Sequence, residues 1–409
     1  MLPSSLLAGL IVLVQTPGTV RTPGKKPQGP EGNYQPAVKL PDDFVRYARV
    51  PDGGIQPHVV AAGDELAVLY FKGDAQSGDL FLTRSKDEAR TFAPSVRVDA
   101  EPGTVLTQEA GHSGALTVGA DGRALVAWVA GGAAPALRFA RESAGCGFDA
   151  PLDLGSPAQL CRTCALVADA QGRVRVFYVA LDPEAGEGGE KPGLRIWMRV
   201  SEDGATFGAP EAIDQKPDGV AASSAIDARI DRDSGAIYVF YVSAGRHGGP
   251  EVKLLASTDG GAKFASRVIV LATRHDVVPH SRPSLSQEVV TDRTVGKPLV
   301  IASWDLYAEV NWGGIDPGSH KLQQNIPVSP RETRTSRRYR AVGLSAGTEY
   351  LMAWLEQPVG DRSAPPVLAW QVWFIDGLAP LGWGQAPIGP GVSSPAVIAN
   401  HPRGFTILY

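Results

Sequence analysis

A hairpin-like segment recurs seven times along this chain. Each copy has a short apolar stretch, a turn, and an alternating apolar run that ends in an aromatic residue. The clearest copies read ALTVGADGRALVAW, ALVADAQGRVRVFY and ARIDRDSGAIYVFY. The seven copies end at Tyr70, Trp128, Tyr178, Tyr241, Trp304, Trp354 and Tyr409, at intervals of 58, 50, 63, 63, 50 and 55 residues. Self-similarity at such a period marks a repeat architecture and constrains the fold more than any other feature. Val, Ile, Leu and Tyr fill the runs, and DG, QG or SG sits at the turn, which is the pattern of a β-hairpin. A lone hairpin is marginal in water and must pack on something.

A second motif follows several of these hairpins. Ser257-Thr258-Asp259-Gly260-Gly261-Ala262-Lys263-Phe264 fits S-x-D-x-G-x-x-F/W. Ser201-Glu202-Asp203-Gly204-Ala205-Thr206-Phe207 is one residue shorter, and Ser85 to Phe92, with Asp87 in place, has Ala89 where Gly is expected. Ser143 to Phe148 is a decayed copy. The four copies start at 85, 143, 201 and 257. Most are flanked by strand-like runs on both sides. The unit is therefore four strands in about 50 to 60 residues. Such units repeated radially make a β-propeller, in which stacking buries the faces that one hairpin leaves wet and closure protects the edges.

Seven hairpins imply an all-β propeller of seven four-stranded blades, or six if one weaker hairpin is not a blade. The last unit holds only two strands before Tyr409, so Phe44 to Val50 is expected to complete it by pairing N-terminal and C-terminal strands. Ala308 to Ser336 shows no clean motif and reads as an irregular insertion. With 47 Gly and 33 Pro, the chain carries the turn punctuation that many short strands need.

The N-terminal end reads differently. Leu6 to Val14 is a nine-residue apolar run, too short to span a bilayer, where roughly 20 residues are needed. It suits the apolar core of a signal peptide, so residues 1–18 are expected to direct export to the periplasm or exterior. Residues 19–37 are rich in Pro, Gly and Lys and read as a flexible tether, with one propeller domain over 38–409. The 39 Lys and Arg against 43 Asp and Glu give a net charge of −4, which excludes a nucleic-acid partner held by bulk charge. A monomer that does not span the membrane is expected.

The serine–aspartate motif resembles the Asp box, or bacterial neuraminidase repeat, of the sialidase-like propellers, over about residues 43 to 409. The resemblance implies a structural turn device at the periphery, away from any catalytic centre. Asp259 would accept backbone N–H groups, Gly261 would take a conformation closed to residues with a Cβ, and Phe264 would anchor the turn on its blade. It also implies a test for sialidase chemistry, which needs three arginines on a carboxylate, a Tyr nucleophile with a Glu partner, and an acid. The first arginine belongs to an R-I-P motif, and here that place reads Ile55-Gln56-Pro57. Tyr339 lies between Arg338 and Arg340 but alternation on a strand turns it away from them.

Ligands of propellers bind where the innermost strands begin. Aligning the repeats places Gln56, His58, Glu109, His112, Arg162, Ser224, Asp227, His280, Arg282, Arg337, Arg338, Arg340, Ser393 and Ser394 at that rim. A solvent-filled channel is polar in any case. Arg282, Arg338 and Arg340 can hold a carboxylate. Cys161 and Cys164 form a C-x-x-C pair whose plain reading is a structural disulfide or buried thiols. Cys146 is the other thiol. No second C-x-x-C completes a zinc site, and no His follows Cys164, so no metal or cofactor is expected. The reading that follows is an exported, non-catalytic propeller that binds a glycan or protein ligand at the channel mouth. The alternative is an exo-sialidase-type glycoside hydrolase with an altered arginine set.

Overall fold

The computed structural model describes residues 40–409, apart from 75–76, 107–112, 133–134, 146, 156–162, 183–192, 215–219, 221–225, 244–250, 271–283, 293–296, 307–308, 317–318, 320, 323–325, 328–334, 346–348, 359–363, 366, 375–379, 388–394 and 400–403. At most strand positions between 267 and 345 the backbone alone is described.

The described strands form seven sheets. β1 (Val45–Ala48) comes first and joins the last of them. Sheet one is β2 (Ile55–Ala62), β3 (Glu65–Asp74), β4 (Ser77–Ser85) and β5 (Val96–Arg97). Sheet two is β6 (Gly114–Val118), β7 (Ala124–Ala130), β8 (Ala136–Arg141) and β9 (Leu152–Asp153). Sheet three is β10 (Cys164–Ala168), β11 (Val174–Leu181), β12 (Leu194–Ser201) and β13 (Glu211–Ala212). Sheet four is β14 (Asp227–Ile230), β15 (Ile237–Ser243), β16 (Glu251–Ser257) and β17 (Ala265–Val270). Sheet five is β18 (Ser284–Asp292), β19 (Lys297–Leu306), β20 (Glu309–Asp316) and β21 (Lys321–Leu322), with β22 (Ile326–Pro327) also on β20. Sheet six is β23 (Thr335–Ser345), β24 (Glu349–Pro358), β25 (Val367–Phe374) and β26 (Pro380–Pro387). The seventh sheet is β27 (Ala396–Ala399), β28 (Phe405–Leu408) and β1.

Neighbouring strands in the first six sheets run antiparallel, as short turns require. The seventh sheet differs. β27 and β28 are antiparallel, whereas β1 lies parallel to β28 with Val45 opposite Phe405 and Ala48 opposite Leu408. The two ends of the described chain thus share one sheet of three strands. Within residues 308–336, read from sequence as an irregular insertion, Glu309–Asp316 is the third strand of sheet five and pairs with β19 from Val300 to Leu306. Gly313 and Gly314 in its middle dilute the strand pattern, which hid it.

Each sheet packs its faces on its neighbours. Leu69 and Phe71 of sheet one share a core with Val126 and Trp128 of sheet two. Phe139 of sheet two shares one with Val176 and Tyr178 of sheet three, and Phe177 of sheet three one with Val239 and Tyr241 of sheet four. Sheet six meets the seventh through Leu351, Leu368 and Ile407, and the seventh meets sheet one through Leu408, Val59 and Tyr70. The innermost strands follow the same order: β2, β6, β10, β14, β18, β23 and β27 each lie beside the next, and β27 lies beside β2.

The turns between third and fourth strands are built by the serine–aspartate motif. Ser257 Oγ accepts the Gly261 N–H at 2.8 Å, and Asp259 Oδ1 accepts the Lys263 N–H at 3.0 Å. Ser201 and Asp203 make the corresponding bonds to Gly204, Ala205 and Thr206, and Ser85 and Asp87 those to Ala89, Arg90 and Thr91. Gly261 has φ +94°, a left-handed value that favours glycine. The first copy lacks that glycine, and Glu88 and Ala89 take φ +58° and +63° themselves. The aromatic that ends the two glycine-bearing motifs reaches the preceding sheet. Phe264 meets Phe177 edge-on at 6.1 Å, and Phe207 meets Phe139 at 4.9 Å. Each turn is therefore a wedge between two sheets.

Candidate functional site

The serine–aspartate turns occupy one end of the sheets. The starts of the innermost strands, and the turns from second to third strands, lie at the other. Around Gln56 this second end departs most from ideal strand geometry. Gln56 is a buried non-glycine residue with φ +54°, and the register with β3 slips between Ile55 and His58. Backbone strain of this kind persists only where the surroundings hold it. Here Ser113, just ahead of β6, donates its hydroxyl to Gln56 Oε1. Two residues on, His58 Nδ1 accepts the Leu116 N–H at 3.2 Å and lies 3.4 Å from the Gly114 carbonyl. Gln56 and His58 therefore tie sheet one to sheet two at the rim.

Cys164 opens β10, and its Sγ donates to the Ala127 carbonyl of sheet two at 3.5 Å. It is a free thiol, one of the two alternatives read for the C-x-x-C pair, and Cys161 is outside the described residues. Burial pushes this thiol up to about 12, so it stays protonated and unreactive. At sheet four, Asp227 pairs with Arg229 of its own strand at 2.7 Å.

Glu109, His112, Arg162, Ser224, His280, Arg282, Ser393, Ser394 and Cys146 are outside the described residues. For Arg337, Arg338 and Arg340 the backbone is placed on β23. Its register shifts between Arg338, opposite Leu355, and Arg340, opposite Trp354. The simple alternation expected across Arg338, Tyr339 and Arg340 is interrupted there. No group of three metal-ligating side chains occurs among the described residues.

Several charged groups near this end escaped the sequence reading. Glu251 and Lys253 pair at 3.3 Å on β16, and both are buried. Ser243 is directly opposite Glu251, and its hydroxyl is buried with no partner among the described residues. In sheet three, Arg195 is 3.6 Å from Asp182 and 3.1 Å from Asp214. Burial raises the Asp214 carboxyl against the pull of Arg195. Arg97 likewise pairs with Asp99 at 2.6 Å and Asp79 at 3.1 Å in sheet one. Alternation in Glu-Val-Lys could have signalled the first pair, whereas Arg195 with Asp182 and Asp214, and Arg97 with Asp79, join residues far apart in sequence.

No protein-family model matches the chain, and no curated protein matches it. Solved structures do. An α-L-arabinanase of Penicillium chrysogenum, solved with arabinobiose, is similar at 13% identity and a TM-score of 0.51, over 80% of this chain and 94% of that one. A Hadza microbial sialidase is similar at 14% identity and a TM-score of 0.50, over 74% of this chain. The fold is a β-propeller. An ulvan lyase is similar at 12% identity and a TM-score of 0.50, with 87% of both chains covered. The match spans 63% of the sialidase's length. This propeller has no helix among its described residues long and apolar enough to cross a membrane.

Proposed function

We propose that this chain is an exported, seven-bladed propeller that binds a carbohydrate at the end where its innermost strands begin, without cleaving it. The observation that carries this reading is Gln56. Ile55 beside it stands where the R-I-P motif of the sialidase resemblance calls for an arginine, and the Gln56 amide oxygen is taken up by Ser113. A neutral amide locked to the next sheet cannot form the bidentate, charge-assisted grip that an arginine gives a carboxylate. The seven sheets, the neighbouring of β27 and β2, and the pairing of β1 with β28 support a ring closed by both termini. Fold alone leaves function open, since propellers host many activities. The structural neighbours named for arabinan, sialoside and ulvan chemistry favour a carbohydrate over a protein ligand. Export rests on the apolar run Leu6 to Val14.

The test is a glycan array probed with the full chain and with His58→Ala. Binding to a defined saccharide set, weakened in the variant, is the expected result. An array with no reproducible binding would remove the carbohydrate reading and leave a protein ligand.

A further inference from the structure

Among the described residues two large apolar side chains stand exposed, Tyr47 at 40% and Trp383 at 60%. The Tyr47 hydroxyl is committed, since it accepts Trp370 Nε1–H at 2.6 Å. Trp383 is the centre of β26, whose sequence is PLGWGQAP. The opposite face of that strand is firmly seated. Gly382 faces Leu40, and Gly384 faces the Trp370 indole so closely that a Cβ would enter the ring. A strand held in this way displays its outward indole on a rigid mount.

Two amides flank that indole on its own face. Gln385 is two residues along the strand and is exposed. Its Nε2 donates to Glu356 Oε2 at 2.8 Å, while Glu356 Oε1 accepts the Trp354 indole N–H at 2.9 Å. The carboxylate thereby sets the amide's orientation and leaves Gln385 Oε1 as an outward acceptor. Gln371 is directly opposite Trp383 across β25 and β26. It is 6% exposed, and its Oε1 is buried with no donor among the described residues. An exposed aromatic face between two donor-hungry oxygens has the chemistry of a sugar site. The C–H face of a pyranose covers the indole, and ring hydroxyls donate to the amides. The Glu356 carboxylate behind Gln385 disfavours an acidic sugar.

The geometry points to a second carbohydrate site on β26, apart from the mouth, that takes a neutral pyranose unit. Trp383 is its platform, Gln385 its oriented acceptor, and Gln371 the inner acceptor reached when the indole shifts over its ligand. The full chain is titrated with cellohexaose, maltohexaose, laminarihexaose and xylohexaose, read by tryptophan fluorescence and calorimetry. One of the four is expected to bind. Trp383→Ala should weaken that binding about tenfold or more, and Gln385→Leu about threefold, with unchanged melting midpoints. Absence of binding to all four, or equal binding by Trp383→Ala, overturns the site. Loss in His58→Ala with none in Trp383→Ala also overturns it, because the saccharide then occupies the mouth.

Discussion

Arg175 of sheet three donates from Nη2 to the Gly260 carbonyl of sheet four at 2.5 Å. It is 2% exposed and also pairs with Asp169 at 3.2 Å. The same cross-strand position does the same work in neighbouring sheets. Arg175 is opposite Val200, just before the Ser201 turn. The matching pairs are Ala67 with Arg84, Leu125 with Arg141, and Arg46 with Thr406. Arg84 reaches Glu142 and the Gly122 carbonyl of sheet two, and Arg141 reaches the Asp203 carbonyl of sheet three. Arg46 and Thr406 both reach Glu88 of sheet one. Sheets one, two, three and seven thus each hold a peripheral turn of the next.

Removing the buried clamp should be costly. Arg175→Leu leaves Asp169 and the Gly260 carbonyl without their cation, and the expected loss is about 3 kcal/mol. Arg84→Ala removes a half-exposed pair and should cost about 1 kcal/mol. Urea unfolding with unchanged slope measures both. Equal losses would show that burial does not set the strength of these clamps.

Gly261 is needed twice over. Its φ of +94° disfavours a side chain, and an added Cβ would lie 2.9 Å from Arg175 Nε. Gly261→Ala should therefore destabilise by about 2 kcal/mol through strain alone, and more if Arg175 is displaced. Ala substitution at Gly122, which has a left-handed φ but open space around its Cβ position, should cost less. Thermal melting of the two variants side by side is the measurement.

The turn aspartates give the acid limb of stability a defined sign. Thr91 holds Asp87 down at about 2, and the Ala205 N–H leads the bonds that hold Asp203 at about 2. In the unfolded chain an Asp titrates near 3.9, so folding favours the ionised form. Their contribution is present above about pH 4 and is lost as pH falls towards about 2. Asp203→Asn should consequently melt below the parent at pH 5, with the gap closing by pH 2. A gap that stays constant would contradict the assignment.

Cys164 should resist alkylation in the folded protein. Its thiol is buried, held at the Ala127 carbonyl and raised to about 12. Mass spectrometry after iodoacetamide treatment at pH 8 should find it unmodified until denaturant is added. Rapid modification of the native protein would mean that β10 opens at the rim.

The period of aromatic-ended hairpins was legible because second strands lie buried between two neighbours, as Val126, Phe177 and Phe240 do. The serine–aspartate turns were legible because each is local, with every bond spanning four residues or fewer. The clamps were not. Arg84 and Arg141 come from third strands while Arg175 comes from a second strand, so no single column of the repeat carries arginine. Only the pairing register brings them to one place. The third strand of sheet five was hidden by Gly313 and Gly314, and the Gln56–Ser113 contact spans 57 residues.

Turnover of a fluorogenic sialoside by the full chain tests the central claim most directly. With Ile55 in place of the first arginine and the neighbouring Gln56 amide committed to Ser113, no hydrolysis above background is predicted, even where the glycan array shows binding. Hydrolysis that disappears in Arg282→Ala would contradict it and establish a sialidase built on a different arginine set.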